Sequence, residues 1–341
     1  MSFLQGSIDL FSGRRVSHMG SYQYVAHAGK RDGKSMSGAE LWAEIEAAEL
    51  NSNDPNLFSA EETLLRKVSQ EIEHQLPAGT PVLEMGTGTP NAFRKKTQLI
   101  MRAIHSNEYI CVDESRAFLN ELIASTALSG INVYPIEDDF FEGDPSYFND
   151  IERDALICMF GSTIGNIVAP LNNQLPERAL IEHLNTMAHA INNGYLLLSF
   201  DANQNGEKIV FFYEKQELFQ LNTFYRMAAE LPIQGNFDPQ AFEYEATWIP
   251  SLGQLAHMAV VTRNMDFTLV DTKISLRKNQ RLHLKNSFKF TPAFFEHCCS
   301  KAGLDVIKSW TDESLTHVYL LGKQPHITVL PQQTLLTSLR A

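Results

Sequence analysis

The chain has 341 residues, room for about two domains or for one large domain with an insertion. It is 44% hydrophobic and 20% charged, with Gly 19 and Pro 14, which excludes a disordered, collagen-like or coiled-coil protein. The net charge of −12 repels phosphate backbones, so a general nucleic-acid binder is not expected. The first thirty-odd residues are polar and rich in Gly and Ser, and are expected to be irregular. Two capping-box patterns follow, Ser37 with Glu40 and Ser59 with Glu62, each opening a helix with apolar steps of three and four. From Pro81 the rhythm alternates between strand and helix. Strands are predicted at Pro81 to Met85, Tyr109 to Val112, Ile131 to Ile136, Ala155 to Phe160 and Tyr195 to Phe200. Helices are predicted at Ala92 to Ile104, around Phe118 to Ile123, and from Leu180 to Ile191. This alternation predicts an α/β fold with a doubly wound, mainly parallel sheet.

After Asp201 the alternation stops. Residues 202–287 carry aromatic-rich helices and strand-like segments, among them Ala256 to Thr262 and Phe267 to Ser275, and read as a smaller α+β insertion. The aromatics Phe211, Phe212, Phe219, Phe224 and Tyr225 are expected to be core. A helix opened by Thr291-Pro292 and two strands, Val306 to Trp310 and His317 to Gly322, close the sheet with a terminal antiparallel hairpin.

Cys111, Cys158, Cys298 and Cys299 have neither zinc-type spacing nor disulfide density, which reads as a reducing cytoplasm with Cys298 and Cys299 as core thiols. No metal spacing links the eleven histidines, so no metal is expected, and His257, His283 and His297 are read as structural or exposed. Met1 to Arg15 holds no signal-peptide stretch, and no apolar run nears the about 20 residues of a membrane span, so no membrane partner is expected.

In a doubly wound sheet, ligands bind beyond the carboxyl ends of the strands. There the first turn reads Glu84-Met85-Gly86-Thr87-Gly88-Thr89-Pro90. Gly86 and Gly88 allow a tight turn and close approach of backbone to ligand. Asn91 stands where a dinucleotide fingerprint needs its third glycine, which disfavours a nicotinamide cofactor. Asp113 ends the second strand and suits ribose hydroxyls, while Asp139 and Phe140 end the third and suit an adenine amine and ring.

The segment Phe160-Gly161-Ser162-Thr163-Ile164-Gly165-Asn166-Ile167 is the most distinctive. Asp201 precedes Tyr213 by twelve residues, Asp238 to Trp248 reads D-P-Q-A-F-E-Y-E-A-T-W, and Ser287 to Pro292 reads S-F-K-F-T-P. Together these stretches resemble the histidine Nα-methyltransferases of ergothioneine biosynthesis. The wider family includes the methyltransferase part of ovothiol synthases and fungal dimethylallyltryptophan N-methyltransferases. The likeness runs over roughly residues 37 to 323 and reads as that of a divergent member.

The resemblance implies a class I fold and S-adenosylmethionine (SAM) as cofactor. It places Gly86, Gly88, Lys96, Asp113, Asp139, Phe140 and Gly161 at the cofactor, with Lys96 reaching its carboxylate. It gives Asn166 and Tyr213 the amino-acid head group and the catalytic role, puts Met258 in the substrate pocket, and has Ser287 and the position two before it read an imidazole. It also implies a SAM-binding domain of residues 61–201 and 288–341, and a substrate-binding domain of residues 1–60 and 202–287.

Two departures bear on the acceptor. The family's carboxylate two residues before the serine is here Lys285, which cannot accept an imidazole N–H and repels imidazolium. Leu57-Phe58 stands where a Tyr-Tyr pair is usual, and Lys34 near a tyrosine position. The expected activity is N-methylation of an amino acid or related small metabolite, with histidine not preferred. Histidine itself, an O-methyl acceptor, or SAM binding without turnover are the alternatives.

Overall fold

In the computed structural model, the described residues are 3–13, 29–31, 34–50, 57–126, 130–140, 154–167, 176–191, 193–313 and 315–323. Their core is a seven-stranded sheet. Its strands are β3 (Val82–Met85), β4 (Glu108–Asp113), β5 (Asn132–Glu137), β6 (Leu156–Met159), β7 (Tyr195–Asp201), β14 (Leu304–Thr311) and β15 (Thr316–Lys323). They lie in the order β14-β15-β7-β6-β3-β4-β5. The five strands β3 to β7 are mutually parallel, whereas β15 pairs antiparallel with both β7 and β14. The doubly wound sheet with its terminal hairpin is therefore present. β3 and β6 are buried at every residue, as strands covered on both faces must be.

Helices cover both faces. On one side α3 (Leu57–Ile72) buries Leu64, Leu65, Val68 and Ile72 against the sheet. On the other, α7 (Glu177–Ala190) and α10 (Pro292–Lys301) pack Leu180, Leu184, Phe295, Cys298 and Cys299 into a second cluster. Thr291 caps α10 by accepting the Phe294 N–H at 3.3 Å.

Residues beyond β7 build α8 (Gly206–Glu214), α9 (Glu217–Glu230) and two three-stranded antiparallel sheets. One sheet has the order β13-β10-β9, from Arg281–Phe288, Gln254–Val261 and Phe242–Ile249. The other has β12-β11-β8, from Thr272–Leu276, Met265–Leu269 and Ile233–Gly235. A separate apolar cluster joins them through Phe224, Phe242, Val261, Phe267 and Leu284.

Several local expectations are corrected. The start of the chain is not wholly irregular: α1 (Phe3–Ser12) forms because Leu10 and Phe11 find the insertion's core. A small hairpin, β1 (Gly29–Arg31) with β2 (Lys34–Met36), follows, and the rest of the first thirty-odd residues lies outside the described ones. Ser37 and Glu40 form their reciprocal cap before α2 (Gly38–Leu50). Ser59 and Glu62 do not, because α3 begins two residues earlier and Glu62 instead pairs with Arg66 and Lys95. The expected helix from Ala92 to Ile104 is broken at Lys96 into α4 (Pro90–Lys95) and α5 (Thr97–Ala103). Phe267 to Ser275 is not one strand but the hairpin of β11 and β12, turning at Val270 with φ 55°.

Candidate active site

The carboxyl ends of β3, β4, β5 and β6 open onto one cavity. Gly86, Gly88, Lys96, Asp113, Phe140 and Gly161 line it at the sheet end. Asn166, Tyr213, Lys285 and Ser287 line the insertion side. Two predicted residues are not brought in: neither Asp139 nor Met258 is in the lining.

The glycine turn is built for close approach. Gly86 and Gly88 have φ of 76° and 65°, a backbone that favours glycine. A Cβ on Gly86 would lie 3.3 Å from the Phe140 ring. Asp113 steadies the turn by accepting the Gly88 N–H at 3.0 Å, and it also takes the Ser115 N–H at 2.8 Å. Thr89 caps α4 through the Ala92 N–H at 3.1 Å and donates its hydroxyl to Glu46 of α2. Burial pushes the Asp113 carboxyl up to about 6. Burial likewise pushes Glu84, which accepts from the Tyr109 hydroxyl, up to about 7.

Lys96 turns inward at the break between α4 and α5 and pairs with Glu61 at 2.5 Å. Glu61 also accepts the Gly161 N–H at 2.6 Å and the Ser199 hydroxyl, tying α3 to β7 and to the turn after β6. That turn is compact. Gly161 and Ser162 are left-handed, at φ 72° and 59°. Ser162 Oγ accepts the Asp201 N–H at 3.2 Å, and a single 3-10 turn covers Thr163–Asn166. Gly165 sits against β13, where a Cβ would lie 2.5 Å from the Phe288 carbonyl oxygen. This contact delivers Asn166 to the cavity beside Ser287, whose hydroxyl donates to Asn166 Oδ1 at 3.1 Å.

On β13, Lys285 and Ser287 share the face toward the cavity, as residues two apart on a strand do. Lys285 is half-buried in the cavity wall, and the loss of solvation there draws its ammonium down to about 7. Its Nζ lies 5.6 Å from the Phe219 ring centroid. Lys289 pairs with Asp201 at 2.8 Å; burial opposes its charge, but Asp201 and Tyr213 hold it above the ordinary lysine range.

His257 and Met258 face opposite ways on β10, and the pocket role falls differently from expectation. Met258 pairs in register with Glu245 on the far face, while His257 pairs with Lys285 on the cavity face. A bulge between His257 and Met258 adjusts the register there. His257 is 0% exposed and sits directly behind the cavity wall. Its Nδ1 is 2.7 Å from the Tyr244 hydroxyl and its Nε2 is 3.0 Å from Ser287 Oγ. Its ring meets Tyr213 edge-on at 4.9 Å.

The aromatic expectation is also corrected in part. Phe224 is core, but Phe212 and Phe219 line the cavity, with Trp42 and Phe58 of the N-terminal helices opposite. Trp42 stands 5.4 Å from Phe219 and 5.8 Å from Phe58. Apolar spacing marks such residues as buried but cannot separate a core from a dry binding wall. Trp42 and Glu46 were missed, since nothing in α2 alone ties it to the glycine turn.

A sequence profile of the histidine-specific, SAM-dependent methyltransferases matches residues 35–323. The chain belongs to this family. It is 36% identical over 305 residues to the uncharacterised protein y4iF of Sinorhizobium fredii, covering 84% of this chain and 99% of that one. It is 24% identical to the N-methyltransferase imqF of Aspergillus flavus, over 84% of this chain and 79% of the relative. It is also 24% identical to the histidine N-alpha-methyltransferase of Mycobacterium tuberculosis, over 75% of this chain and 78% of that protein. Among solved structures, a SAM-dependent methyltransferase from Clostridium acetobutylicum has a TM-score of 0.48 at 10% identity, over 83% of this chain and 98% of that one.

As a member of this family the chain is a SAM-dependent methyltransferase, and the cavity suits the cofactor. A Cβ on Gly86 would crowd Phe140, and both glycines keep the left-handed backbone that lets a ligand approach the turn closely. Glu84 and Asp113 are acids in a dry wall that would gain from a ligand rich in donors, such as ribose hydroxyls and an ammonium. Among the described residues, no helix is long and apolar enough to cross a membrane, and no group of three His, Cys, Asp or Glu could hold a metal ion.

Proposed function

We propose that the protein methylates the amine of a small amino-acid-like acceptor and that free histidine is not the preferred one. The observation that carries this is the wall made by β13. Where the family resemblance expects a carboxylate for the imidazole N–H, this wall presents Lys285. Ser287, which the resemblance also assigns to the imidazole, already has two partners within the protein, His257 and Asn166. An imidazole N–H on the acceptor would find no carboxylate here and a Ser287 oxygen already sharing its lone pairs with His257, a weaker reception than the resemblance implies. An acidic or carbonyl-bearing side chain would suit Lys285.

When bound, SAM supplies an electrophilic methyl group on its sulfonium. Asp113, Phe140 and Gly86 would hold the adenosine part, with Glu84 and Lys96 toward the methionine end. Lys96 is already paired with Glu61, so its reach to a cofactor carboxylate would keep that pair as a shared contact. Asn166 and Tyr213 would orient the acceptor's head group, and the aromatic walls would exclude water from the amine's approach. The amine must arrive neutral to act as nucleophile. We assign residues 1–60 and 202–287 to the acceptor side and residues 61–201 and 288–341 to the cofactor side. The separate apolar cluster of the insertion supports that division, and α3 straddles it by starting at Leu57.

The test is calorimetric titration of L-histidine into protein saturated with S-adenosylhomocysteine, followed by amines bearing a carboxylate or carbonyl. The expected result is no histidine binding and turnover of SAM with one of the latter amines. Tight histidine binding would return the protein to the histidine assignment.

A further inference from the structure

From the sequence His257 reads as structural or exposed, and the proposed reaction gives it no role. Yet it touches Tyr213 directly and is linked to Asn166 through one residue. Its Nε2 reaches Asn166 through Ser287, and its ring edge packs Tyr213. We propose that His257 is a positioning residue: as the neutral, Nε2-protonated tautomer, it fixes the Asn166 amide with its NH₂ group toward the acceptor. The assignment rests on Asn166 as a head-group residue.

The protons decide the direction. Ser287 has one hydroxyl proton and donates it to Asn166 Oδ1 at 3.1 Å. The 3.0 Å contact to His257 must then carry the Nε2 proton toward Ser287 Oγ. A neutral ring protonated on Nε2 has a bare Nδ1, which accepts the Tyr244 hydroxyl at 2.7 Å. The reversed chain would flip the Asn166 amide and turn Nδ1–H toward Tyr244. The Tyr244 proton would then need another acceptor, and among the described residues Nδ1 is the acceptor recorded for it. The first direction places every proton on a partner recorded among the described residues.

The surroundings keep the ring neutral. Burial draws its pKa well below the ordinary imidazole range, and the charges of Lys285, His283 and Lys289 add to that. With Oδ1 committed to Ser287, Asn166 offers the cavity two N–H donors. Two donors grip a carboxylate, whereas a carbonyl would have gripped an ammonium. The acceptor would therefore be held by its carboxylate, leaving the amine's lone pair free.

The test uses the full chain with ¹⁵N-labelled histidine, with His257→Gln identifying the signal. We expect a protonated, pyrrole-type Nε2 and an unprotonated, pyridine-type Nδ1, and Ser287→Ala should perturb both. A proton on Nδ1, or an imidazolium, overturns the proposal. This reading needs no acceptor, so it stands or falls apart from the proposed reaction. With an acceptor from the amine panel, His257→Phe should raise its KM about tenfold, and His257→Gln, which keeps an N–H near Ser287, should recover most of that. The dissociation constant of S-adenosylhomocysteine should stay within about twofold. Equal losses in both ligands would make the ring a structural element and overturn the assignment.

Discussion

At the scale of single residues, Lys285 and Tyr213 carry the acceptor argument. Lys285→Glu returns a carboxylate to the wall and should tighten L-histidine binding by at least about tenfold, read by calorimetry with S-adenosylhomocysteine present. No gain would place the histidine barrier elsewhere in the cavity. Tyr213 stands between His257 and Lys289, its ring 5.7 Å from the Lys289 ammonium. Tyr213→Phe keeps the ring and removes the hydroxyl. It should lower turnover more than about tenfold while S-adenosylhomocysteine still binds, and unchanged turnover would remove the hydroxyl from the reaction. Lys285 and Tyr213 were legible as site residues because they sit within motifs. His257 was not, because a lone histidine in a strand signals nothing until its partners on β9 and β13 are folded beside it.

Elements meet the site through a few tight joints. The turn after β6 reaches β13 because Gly165 has no side chain, and Gly165→Ala would drive a Cβ to within 2.5 Å of the Phe288 carbonyl. The backbone must yield, at a cost of about 1–3 kcal/mol. Urea denaturation should show that loss, and acceptor binding should weaken more than cofactor binding because Asn166 moves away from Ser287. Equal stability in the variant would mean the joint is looser than its geometry. The break at Lys96 belongs to the same scale. Periodicity from Ala92 to Ile104 describes one helix, since both halves bury apolar residues. The break is set by an ion pair with Glu61, which no local pattern contains.

Across the whole molecule, burial of ionisable groups sets a pH dependence in the ligand-free protein. Glu84 has its carboxyl raised from 4.5 to about 7. The folded state therefore binds the extra proton between those values. Its contribution to stability is full below pH 4.5 and is lost as pH rises through 7. Lys285 has its ammonium lowered from 10.5 to about 7, so the unfolded state binds the extra proton in that window. Stability then rises as pH climbs from 7 toward 10.5. Urea melts at pH 4.5, 7 and 9.5 should show Glu84→Gln gaining on the wild type between the first two. The advantage of Lys285→Met should shrink between the last two. A Lys285→Met difference that is flat above pH 7 would place that ammonium in ordinary water.

What the sequence by itself determined was the sheet, its strand ends and the family. Strand-length apolar runs alternating with helical periods allow few topologies, and the motifs sit on the carboxyl ends where such a sheet binds ligands. It also determined that Lys285 replaces a carboxylate, because that is a matter of residue identity at a motif position. Only the tertiary structure decided which side of β10 faces the cavity, where α2 meets the glycine turn, and that the protein's own imidazole occupies Ser287. Each of these depends on strands and helices far apart in the chain. The register of β10 between β9 and β13, with its bulge at His257, is set by cross-strand pairing and packing, which no local spacing records.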